Sequence, residues 1–184
     1  MDALNTATTL RSATLADVPA LVALVTRCYR GEASRAGWTT EADLLDGERI
    51  DPDVLRADIA RPHSRVLIAE RGATTVACAH VCRDGDAGYF GMFAVAPELQ
   101  RSGLGSTLLA ECEHIVAGQW RLPALRMTVI EQRPELIDWY RRRGYRTTGE
   151  IKPFPYGDPR FGLPKRDDLR FVVLEKSLPT EHAA

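Results

Sequence analysis

The sequence predicts a single α/β domain in which a mixed, mostly antiparallel sheet is flanked by helices. Two observations support this class. Apolar residues recur every three or four positions in some segments and in strand-like runs in others, so helices and strands interleave along the chain. The length of 184 residues, 45% of them hydrophobic, suits one domain with its own core. We expect one domain over residues 1–184, with a core at 8–178 and short flexible termini.

Three helical segments are predicted in the N-terminal part, after a short, partly β-branched stretch at residues 8–13. Each is preceded by a Thr or Asp side chain that can accept hydrogen bonds from the free N–H groups of a first helical turn. The first segment is the most regular, because its apolar residues keep the spacing of one buried face. The expected helices cover residues 15–29, a short stretch that begins at Thr39 or Thr40 and ends at Leu45, and 52–60.

From residue 65 onward the pattern changes to that of strands. Three strands separated by glycine turns predict an antiparallel meander, followed by a helix, a buried strand, a short helix and two closing strands. Proline before the short helix and glycine after it mark its ends. The expected strands are 66–69, 75–82, 89–95, 125–130, 145–151 and 170–176, with helices from about 104 and 134 and a proline-rich connector at 152–169.

Charge and cysteine usage exclude several classes of function. The chain has 24 Lys and Arg against 25 Asp and Glu, a net charge of −1, so it has no net field to hold a nucleic acid or an anionic membrane. No apolar run suits a membrane span, and the first residues do not resemble a secretion signal. The four cysteines lack metal or disulfide spacing and are expected to be buried apolar side chains. We therefore expect a cytoplasmic protein without nucleic-acid, membrane or metal partners.

The most informative segment is residues 100–106, QRSGLGS, which follows a predicted strand. Gly103 and Gly105 stand where a loop becomes a helix, so N–H groups of the first turn are open to a phosphate. Arg101 adds a positive charge and Ser106 a hydroxyl donor. A dinucleotide fingerprint would need a third glycine three residues further on, and a phosphate loop would need Gly-Lys-Ser/Thr, so both alternatives fail on spacing.

This pattern, Gln-Arg-x-Gly-x-Gly directly after a strand, resembles the motif with which GNAT superfamily N-acetyltransferases bind the pyrophosphate of acetyl-CoA. A second segment, residues 139–145 with the sequence WYRRRGY, is similar to the family signature of an aromatic residue, Tyr, three residues, Gly and an aromatic residue. The interval between the two segments suits one helix, one strand and a short helix. The resemblance covers residues 10–178 and implies a GNAT-like fold and an acetyl-CoA-dependent N-acetyltransferase.

The resemblance also implies roles for individual residues. The main chain at 93–95 is expected to hold the pantetheine arm and stabilise the oxyanion. Tyr140 is expected to be the general acid for the leaving thiolate, the alternative being a purely packing role. Arg133 stands where many relatives have asparagine, and it can serve pantetheine, the phosphates or an acceptor carboxylate. The residues expected to contact the coenzyme are Phe93, Ala94, Val95, Gln100, Arg101, Ser102, Gly103, Leu104, Gly105, Ser106, Arg133 and Tyr140.

No motif identifies the general base. Glu131, after the strand that should border the cofactor cleft, is the first candidate, and Glu41, Asp43 or a chain of water molecules are alternatives. His80 is expected to be a core or sheet-face residue. The acceptor pocket is expected between residues 31–50 and the proline-rich connector, which can form a lid, an ordinary loop or a dimer contact. Its expected contacts are Trp38, Glu41, Phe154 and Tyr156.

The preferred hypothesis is acetyl transfer from acetyl-CoA to the primary amine of a small molecule, an amino acid or a peptide by direct attack. Two alternatives stay open. The first alternative is that the donor is a longer acyl-CoA, because the motif does not indicate the size of the acyl pocket. A non-catalytic, CoA-responsive regulatory module is the other, because the base is unassigned. A homodimer is expected only because members of the family that the sequence resembles are often dimers.

Overall fold

Nine strands and five α-helices alternate along residues 7–179, the part of the chain that the computed structural model describes. The strands are β1 Thr8–Ser12, β2 Leu45–Asp46, β3 Ser64–Arg71, β4 Thr74–Asp84, β5 Ala87–Val95, β6 Ala124–Ile130, β7 Arg146–Pro153, β8 Leu163–Pro164 and β9 Arg170–Ser177. The helices are α1 Val18–Tyr29, α2 Gly31–Ser34, α3 Pro52–Ala60, α4 Leu104–His114 and α5 Pro134–Arg141. A π-helical turn, Ile115–Gln119, extends α4.

Seven strands form one sheet in the order β1-β3-β4-β5-β6-β9-β7. All neighbours are antiparallel except β5 and β6, which run parallel and are paired only at Gly88 with Leu125 and at Tyr89 with Arg126. Beyond these two pairs the strands have no ladder between them, so the sheet opens along the remaining length of β5 and β6. The predicted mixed, mostly antiparallel sheet is confirmed.

Helices cover the sheet and complete the core. Helix α1 contacts α3, and both α1 and α4 contact β4 and β5. Each helix presents an apolar stripe to the sheet, because its apolar residues recur at helical spacing. Completely buried members of the core come from both kinds of element and include Leu21, Ile68, Leu108, Leu125 and Leu174.

A β-bulge interrupts β5 where the sheet begins to open. Met92 and Phe93 together lie opposite the single residue Ala79, because Cys78 pairs with Ala94 and His80 pairs with Gly91. Met92 has a φ of 43°, a left-handed conformation that side chains other than glycine rarely adopt. A bulge of this kind bends its strand and withdraws backbone groups from the ladder, so they become available for a ligand.

One predicted element is wrong. The helix expected to end at Leu45 is absent, and residues 41–44 form a turn that leads into β2. Leu45 and Asp46 pair with β8 from the proline-rich connector, and the Glu41 side chain is buried. These tertiary contacts outweigh a capping signal in a short segment. The pairing brings residues 31–50 and the connector together, as the acceptor-pocket prediction requires.

Further expectations concern membrane spans, metal ligands, the cysteines and the chain termini. Across residues 7–179, no helix has the length and apolar character needed to cross a membrane. In the same range, no three His, Cys, Asp or Glu side chains are grouped as ligands of a metal would be. All four cysteines are buried and free, as predicted for apolar core side chains. The expectations of flexible termini and of no secretion signal fall on residues outside the described range.

Candidate active site

Two cavities meet at the bulged end of β5. The small cavity has a volume of about 210 Å³ and the large cavity about 430 Å³. Tyr29, Phe93, Arg133 and Leu136 line both of them, so a ligand in one cavity can contact a ligand in the other at this junction.

The small cavity contains the start of α4. Gly103 has a φ of +89°, and a Cβ built there would have no atom within 4 Å, so open space lies beside it. A Cβ on Gly105 would lie 3.0 Å from Phe93 Cζ, so a larger residue there would crowd the Phe93 ring. The first helical bond runs from the Thr107 N–H to the Gly103 carbonyl, so the preceding N–H groups stay free. Free N–H groups beside open space form an anion-binding cradle.

Gln100 joins two walls of the small cavity. Its Nε2 donates to the Val95 carbonyl at 3.1 Å, and its Oε1 accepts from the Trp38 N–H at 2.8 Å. The side chain therefore holds the turn that follows α2 against the end of β5. Gln100 is a bracing residue of the loop as well as a lining residue.

Arg143 and Ser106 complete the polar side of the small cavity. The Arg143 guanidinium donates to Ser106 Oγ, with Nη2 at 2.7 Å, and stacks on the Trp139 ring with Cζ 3.5 Å from the centroid. This pairing leaves the Ser106 hydroxyl proton available to a ligand. Arg101, in a left-handed conformation with a φ of 68°, also lines the cavity and adds positive charge.

The wall of the large cavity is predominantly apolar and aromatic, with charged groups in separate places. A largely buried ionic cluster centres on Glu41, whose carboxylate accepts from Arg30 Nη1 at 2.8 Å and from Arg133 Nη1 at 2.9 Å and forms an ion pair with Arg49 Nε at 3.1 Å. Burial by itself raises the pKa of the Glu41 carboxyl, but the three guanidinium groups outweigh it and lower that pKa to about 2. Glu41 is therefore ionised at any physiological pH.

Tyr29 ties this cluster to the β5 bulge. Its hydroxyl donates to the Phe93 carbonyl, and the Arg49 guanidinium lies over its ring at 4.7 Å from the centroid. Burial raises the pKa of Tyr29 to about 12, so the phenol keeps its proton. The bulged main chain is thereby held in one orientation.

Tyr140 lies on the wall of the large cavity, one helical turn after Leu136. Residues four apart share a face of a helix, so α5 presents both to the junction. Tyr140 is 4% exposed and packs edge-on against Trp139 and Tyr145. Burial raises its pKa, so the phenol is protonated at neutral pH. Its hydroxyl forms no hydrogen bond with another residue of the described range, which leaves it free for a ligand.

His80 also lines the large cavity, which the sequence did not predict. Its Nε2 lies 2.8 Å from Ser64 Oγ, and that hydroxyl donates to the Asp58 carbonyl at 2.6 Å. A hydroxyl has one proton, so Nε2 must be the donor to Ser64 and Nδ1 carries the lone pair. Burial lowers the pKa of His80 below its ordinary value, which favours the neutral ring. Its only sequence signal is its place on the strand beside β5.

Several predicted residues lie elsewhere. Glu131 lines neither cavity, because its Oε1 pairs with Arg170 Nη2 at 3.0 Å at the start of β9. Asp43 is exposed and pairs with Arg35 at 2.7 Å. Neither carboxylate lines the two cavities.

The remaining site predictions divide between the cavities and the connector. Tyr156 braces the connector, because its hydroxyl donates to the Arg166 carbonyl at 3.1 Å and accepts from the Leu169 N–H at 2.7 Å. Leu104 belongs to the core, and Ser102 is exposed outside the cavity wall. The predicted residues that do line the small cavity are Trp38, Phe93, Ala94, Val95, Gln100, Arg101, Gly103, Gly105, Ser106 and Arg133, and those that line the large cavity are Glu41, Phe93, Phe154, Arg133 and Tyr140.

Comparison with known families decides the identity of this arrangement. Residues 35–154 match the family model of the acetyltransferase (GNAT) domain. The chain belongs to the GNAT family. The family predicted from the two sequence motifs is thus confirmed, and a search of curated proteins finds no significant match.

Solved GNAT structures share the fold at low sequence identity. The ribosomal-protein-S18-alanine N-acetyltransferase from Escherichia coli is 17% identical, with a TM-score of 0.68 over 97% of each chain. Nourseothricin acetyltransferase is 20% identical, with a TM-score of 0.66 over 95% of this chain and all of the other. The IAA acetyltransferase from Bacillus cereus is 15% identical, with a TM-score of 0.63 over 94% of this chain and all of the other. Their names give three different acceptors, so the fold alone does not define this one.

GNAT domains use acetyl-CoA as co-substrate, and the small cavity fits such a group. The cradle at Gly103 and Gly105 suits a pyrophosphate, since its backbone donors face open space and Arg101 adds positive charge. Phe93 lines both the cavity that contains this cradle and the large cavity.

Proposed function

We propose that this GNAT protein transfers the acetyl group of acetyl-CoA to the primary amine of a small molecule, an amino acid or a peptide. The junction of the two cavities carries the proposal. An anion cradle lies on one side of the β5 bulge, and an apolar cavity with a protonated tyrosine lies on the other. Acetyl-CoA supplies an activated thioester when bound, and the residues of the chain bind, orient and move protons around it.

The start of α4 is the proposed pyrophosphate site. Backbone N–H groups from Gly103 to Ser106 and the Arg101 side chain would hold the phosphates. The main chain of β5 from Phe93 to Val95 lines the same cavity and would hold the pantetheine arm. The Tyr29 hydroxyl keeps this main chain in place, so its groups are oriented before the substrates arrive.

Main-chain donors at the bulge would stabilise the negative charge that develops on the thioester oxygen. Such a preorganised donor contributes about 3 kcal/mol to a transition state. Tyr140 would then protonate the leaving thiolate as a general acid, because its phenol carries a proton at neutral pH and has no other partner in the described range.

We assign proton acceptance from the acceptor amine to His80, directly or through a water molecule. Glu41 is unsuited to this role, because a carboxyl with a pKa of about 2 binds a proton poorly at neutral pH. Burial favours the neutral ring of His80, which lines the large cavity, and its Nδ1 lies 3.7 Å from Asp58 Oδ2, a carboxylate that can stabilise the ring once it is protonated. Substitution His80→Gln should lower kcat/KM and remove the acidic limb of its pH profile, while acetyl-CoA affinity stays unchanged. An unaltered pH profile would contradict the assignment.

The test of the proposed function combines binding and turnover. Purified protein is titrated with acetyl-CoA by calorimetry, and thiol release is followed against a panel of amines, amino acids and peptides. Saturable binding with acceptor-dependent thiol release is the expected result. Thiol release only with longer acyl-CoA thioesters would show that the donor is a longer acyl-CoA and not acetyl-CoA. Binding without release from any donor would favour a CoA-responsive regulatory module, and no binding would contradict the cradle.

A further inference from the structure

The buried ionic cluster at the junction carries more positive than negative charge. Three guanidinium groups, from Arg30, Arg49 and Arg133, surround the single carboxylate of Glu41. Arg30 and Arg133 are 8% and 4% exposed, and Glu41 is 4% exposed, so water screens these charges weakly. A buried charge without a partner is unfavourable, and this cluster, in which only the Arg49 side chain is partly exposed at 30%, is two negative charges short of neutrality.

Other carboxylates in the wall of the large cavity do not supply the missing charge, because they are engaged elsewhere. Asp51 caps α3, where its Oδ1 accepts from the Asp53 and Val54 N–H groups at 2.7 and 3.2 Å. Asp58 lies 3.5 Å from Arg61 and 3.7 Å from the His80 ring. The tyrosine ring under Arg49 offsets part of the imbalance but carries no net charge.

Arg133 and Arg49 line the large cavity, and each has an N–H group without a partner in the described range. Arg133 Nη1 and Nη2 donate to Glu41 and Thr39, whereas its Nε is buried without a hydrogen-bond partner, as is Arg30 Nε. Arg49 is held to Glu41 through Nε, and among residues 7–179 its two terminal nitrogens have no ion-pair partner. A guanidinium presents paired N–H groups that match the two oxygens of a carboxylate.

The position of these donors separates them from the coenzyme phosphates. Arg49 and Glu41 line the large cavity and not the small one, whereas Arg101 and Arg143 line the small cavity beside the cradle. An anion on Arg49 and Arg133 would therefore lie in the acceptor cavity, next to the junction where the amine must react.

The rest of the large cavity indicates what is attached to that anion. Its wall away from the cluster is formed largely by apolar and aromatic side chains, which favour an apolar group. Examples are Phe90, Met127, Phe154, Phe161 and Phe171.

Resting on the proposed acetyl transfer, we propose that the acceptor is an amino acid whose carboxylate binds Arg49 and Arg133 beside the reacting amine. Its apolar or aromatic side chain extends into the large cavity. A free amino acid satisfies this arrangement, whereas a peptide N-terminus has an amide in place of the adjacent carboxylate.

The test measures carboxylate recognition without requiring turnover. CoA-saturated protein is titrated by calorimetry with the N-acetyl derivatives of L-phenylalanine, L-leucine and L-methionine, and with the corresponding N-acetyl amides. At least one acid should bind about tenfold to a hundredfold more tightly than its amide, because charge-assisted hydrogen bonds are lost in the amide. Equal affinity within every pair, or no binding of any acid, would overturn the proposal.

Arg49→Gln provides the matched variant, since it removes the charge at a side chain that is 30% exposed. The acid preference should disappear while CoA affinity, measured in the same titration series, stays unchanged and shows that the protein is folded. Arg49→Lys keeps the charge without the planar fork and should retain part of the preference. Arg56→Gln, on α3 but outside both cavities, should retain all of it. An undiminished acid preference in Arg49→Gln would refute the proposed contact.

The two proposals can fail separately. Carboxylate preference without thiol release from any acetyl-CoA and amino-acid pair would contradict acetyl transfer and leave this binding site standing. Thiol release with equal kcat/KM for L-phenylalanine, L-phenylalaninamide and phenethylamine would support acetyl transfer and contradict carboxylate recognition.

Discussion

The small cavity takes its decisive groups from one stretch of chain, whereas the large cavity collects its groups from segments between Tyr29 and Phe171. In the first, backbone N–H groups at the start of α4 are the proposed phosphate donors, and glycine matters because it leaves them accessible. In the second, buried charged side chains act, and each depends on partners far away in the sequence. A site made of local backbone leaves a motif, and a site made of distant side chains does not.

The difference also extends to electrostatics. The cradle faces open space, so a bound anion can balance its positive charge. The Glu41 cluster is buried, so its charges must be balanced within the protein or by the acceptor. Substitutions in the two cavities should therefore affect different quantities: coenzyme affinity in the first, and stability together with acceptor recognition in the second.

The largest effect should come from the junction. Tyr140→Phe removes the proposed acid, and kcat should fall about 10²- to 10⁴-fold because general acid catalysis is lost. Acetyl-CoA affinity should change little. Tyr145→Phe is the matched control, since its hydroxyl donates to Glu113 at 2.9 Å and faces away from both cavities. Steady-state thiol release measures kcat, and calorimetry measures acetyl-CoA affinity. An unchanged kcat in Tyr140→Phe would show that this residue only packs in the core and is not the general acid.

The next effect concerns stability in the large cavity. Glu41→Gln leaves three guanidinium groups around a neutral amide, so the free energy of unfolding should fall by about 3–5 kcal/mol. Asp43→Asn, which breaks an exposed ion pair, should cost less than about 1 kcal/mol. Urea unfolding of the two variants and the parent measures both values. Similar midpoints for the two variants would show that the cluster contributes no more than a surface pair.

Acid should destabilise the same cluster. The pKa of Glu41 is lowered from 4.5 to about 2 in the folded protein. Its contribution is therefore fully present above pH 4.5 and is lost as the pH falls from 4.5 towards 2, because the unfolded state binds the proton first. The loss should reach about 3 kcal/mol. Glu41→Gln should show a shallower fall of stability over this range, and parallel curves would contradict the ionised cluster.

The smallest of these effects should be seen in the small cavity. Gly103→Glu places a carboxylate in the cradle, and affinity for CoA should fall about tenfold to a hundredfold through charge repulsion. Gly85→Glu is the control, because this turn glycine also has a positive φ, 58°, and open space around it. The control should match Gly103→Glu in lost stability but retain CoA affinity. Equal affinity in both variants, measured by calorimetry, would locate the phosphates elsewhere.

Prediction from the sequence succeeded where the signal was local. The helix after Asp51 begins at Pro52 and ends at Ala60 as expected, because a capping carboxylate and a proline both act within one turn. The helix expected to end at Leu45 failed for the opposite reason, since burial of Glu41 and pairing with β8 override its capping residues. Glu131, the first candidate for the base, lines neither cavity and pairs with Arg170, a residue distant in sequence.

The sequence by itself determined the family, the mixed sheet and the glycine cradle, because strand alternation, helix caps and glycine spacing operate between residues close along the chain. Only the tertiary structure decided which carboxylates are paired, that His80 lines the large cavity, and that Arg49 and Arg133 share one carboxylate. The physical reason is that burial and charge pairing depend on distances in space, and these arise when β5 and β6 separate and distant segments fold over the opening.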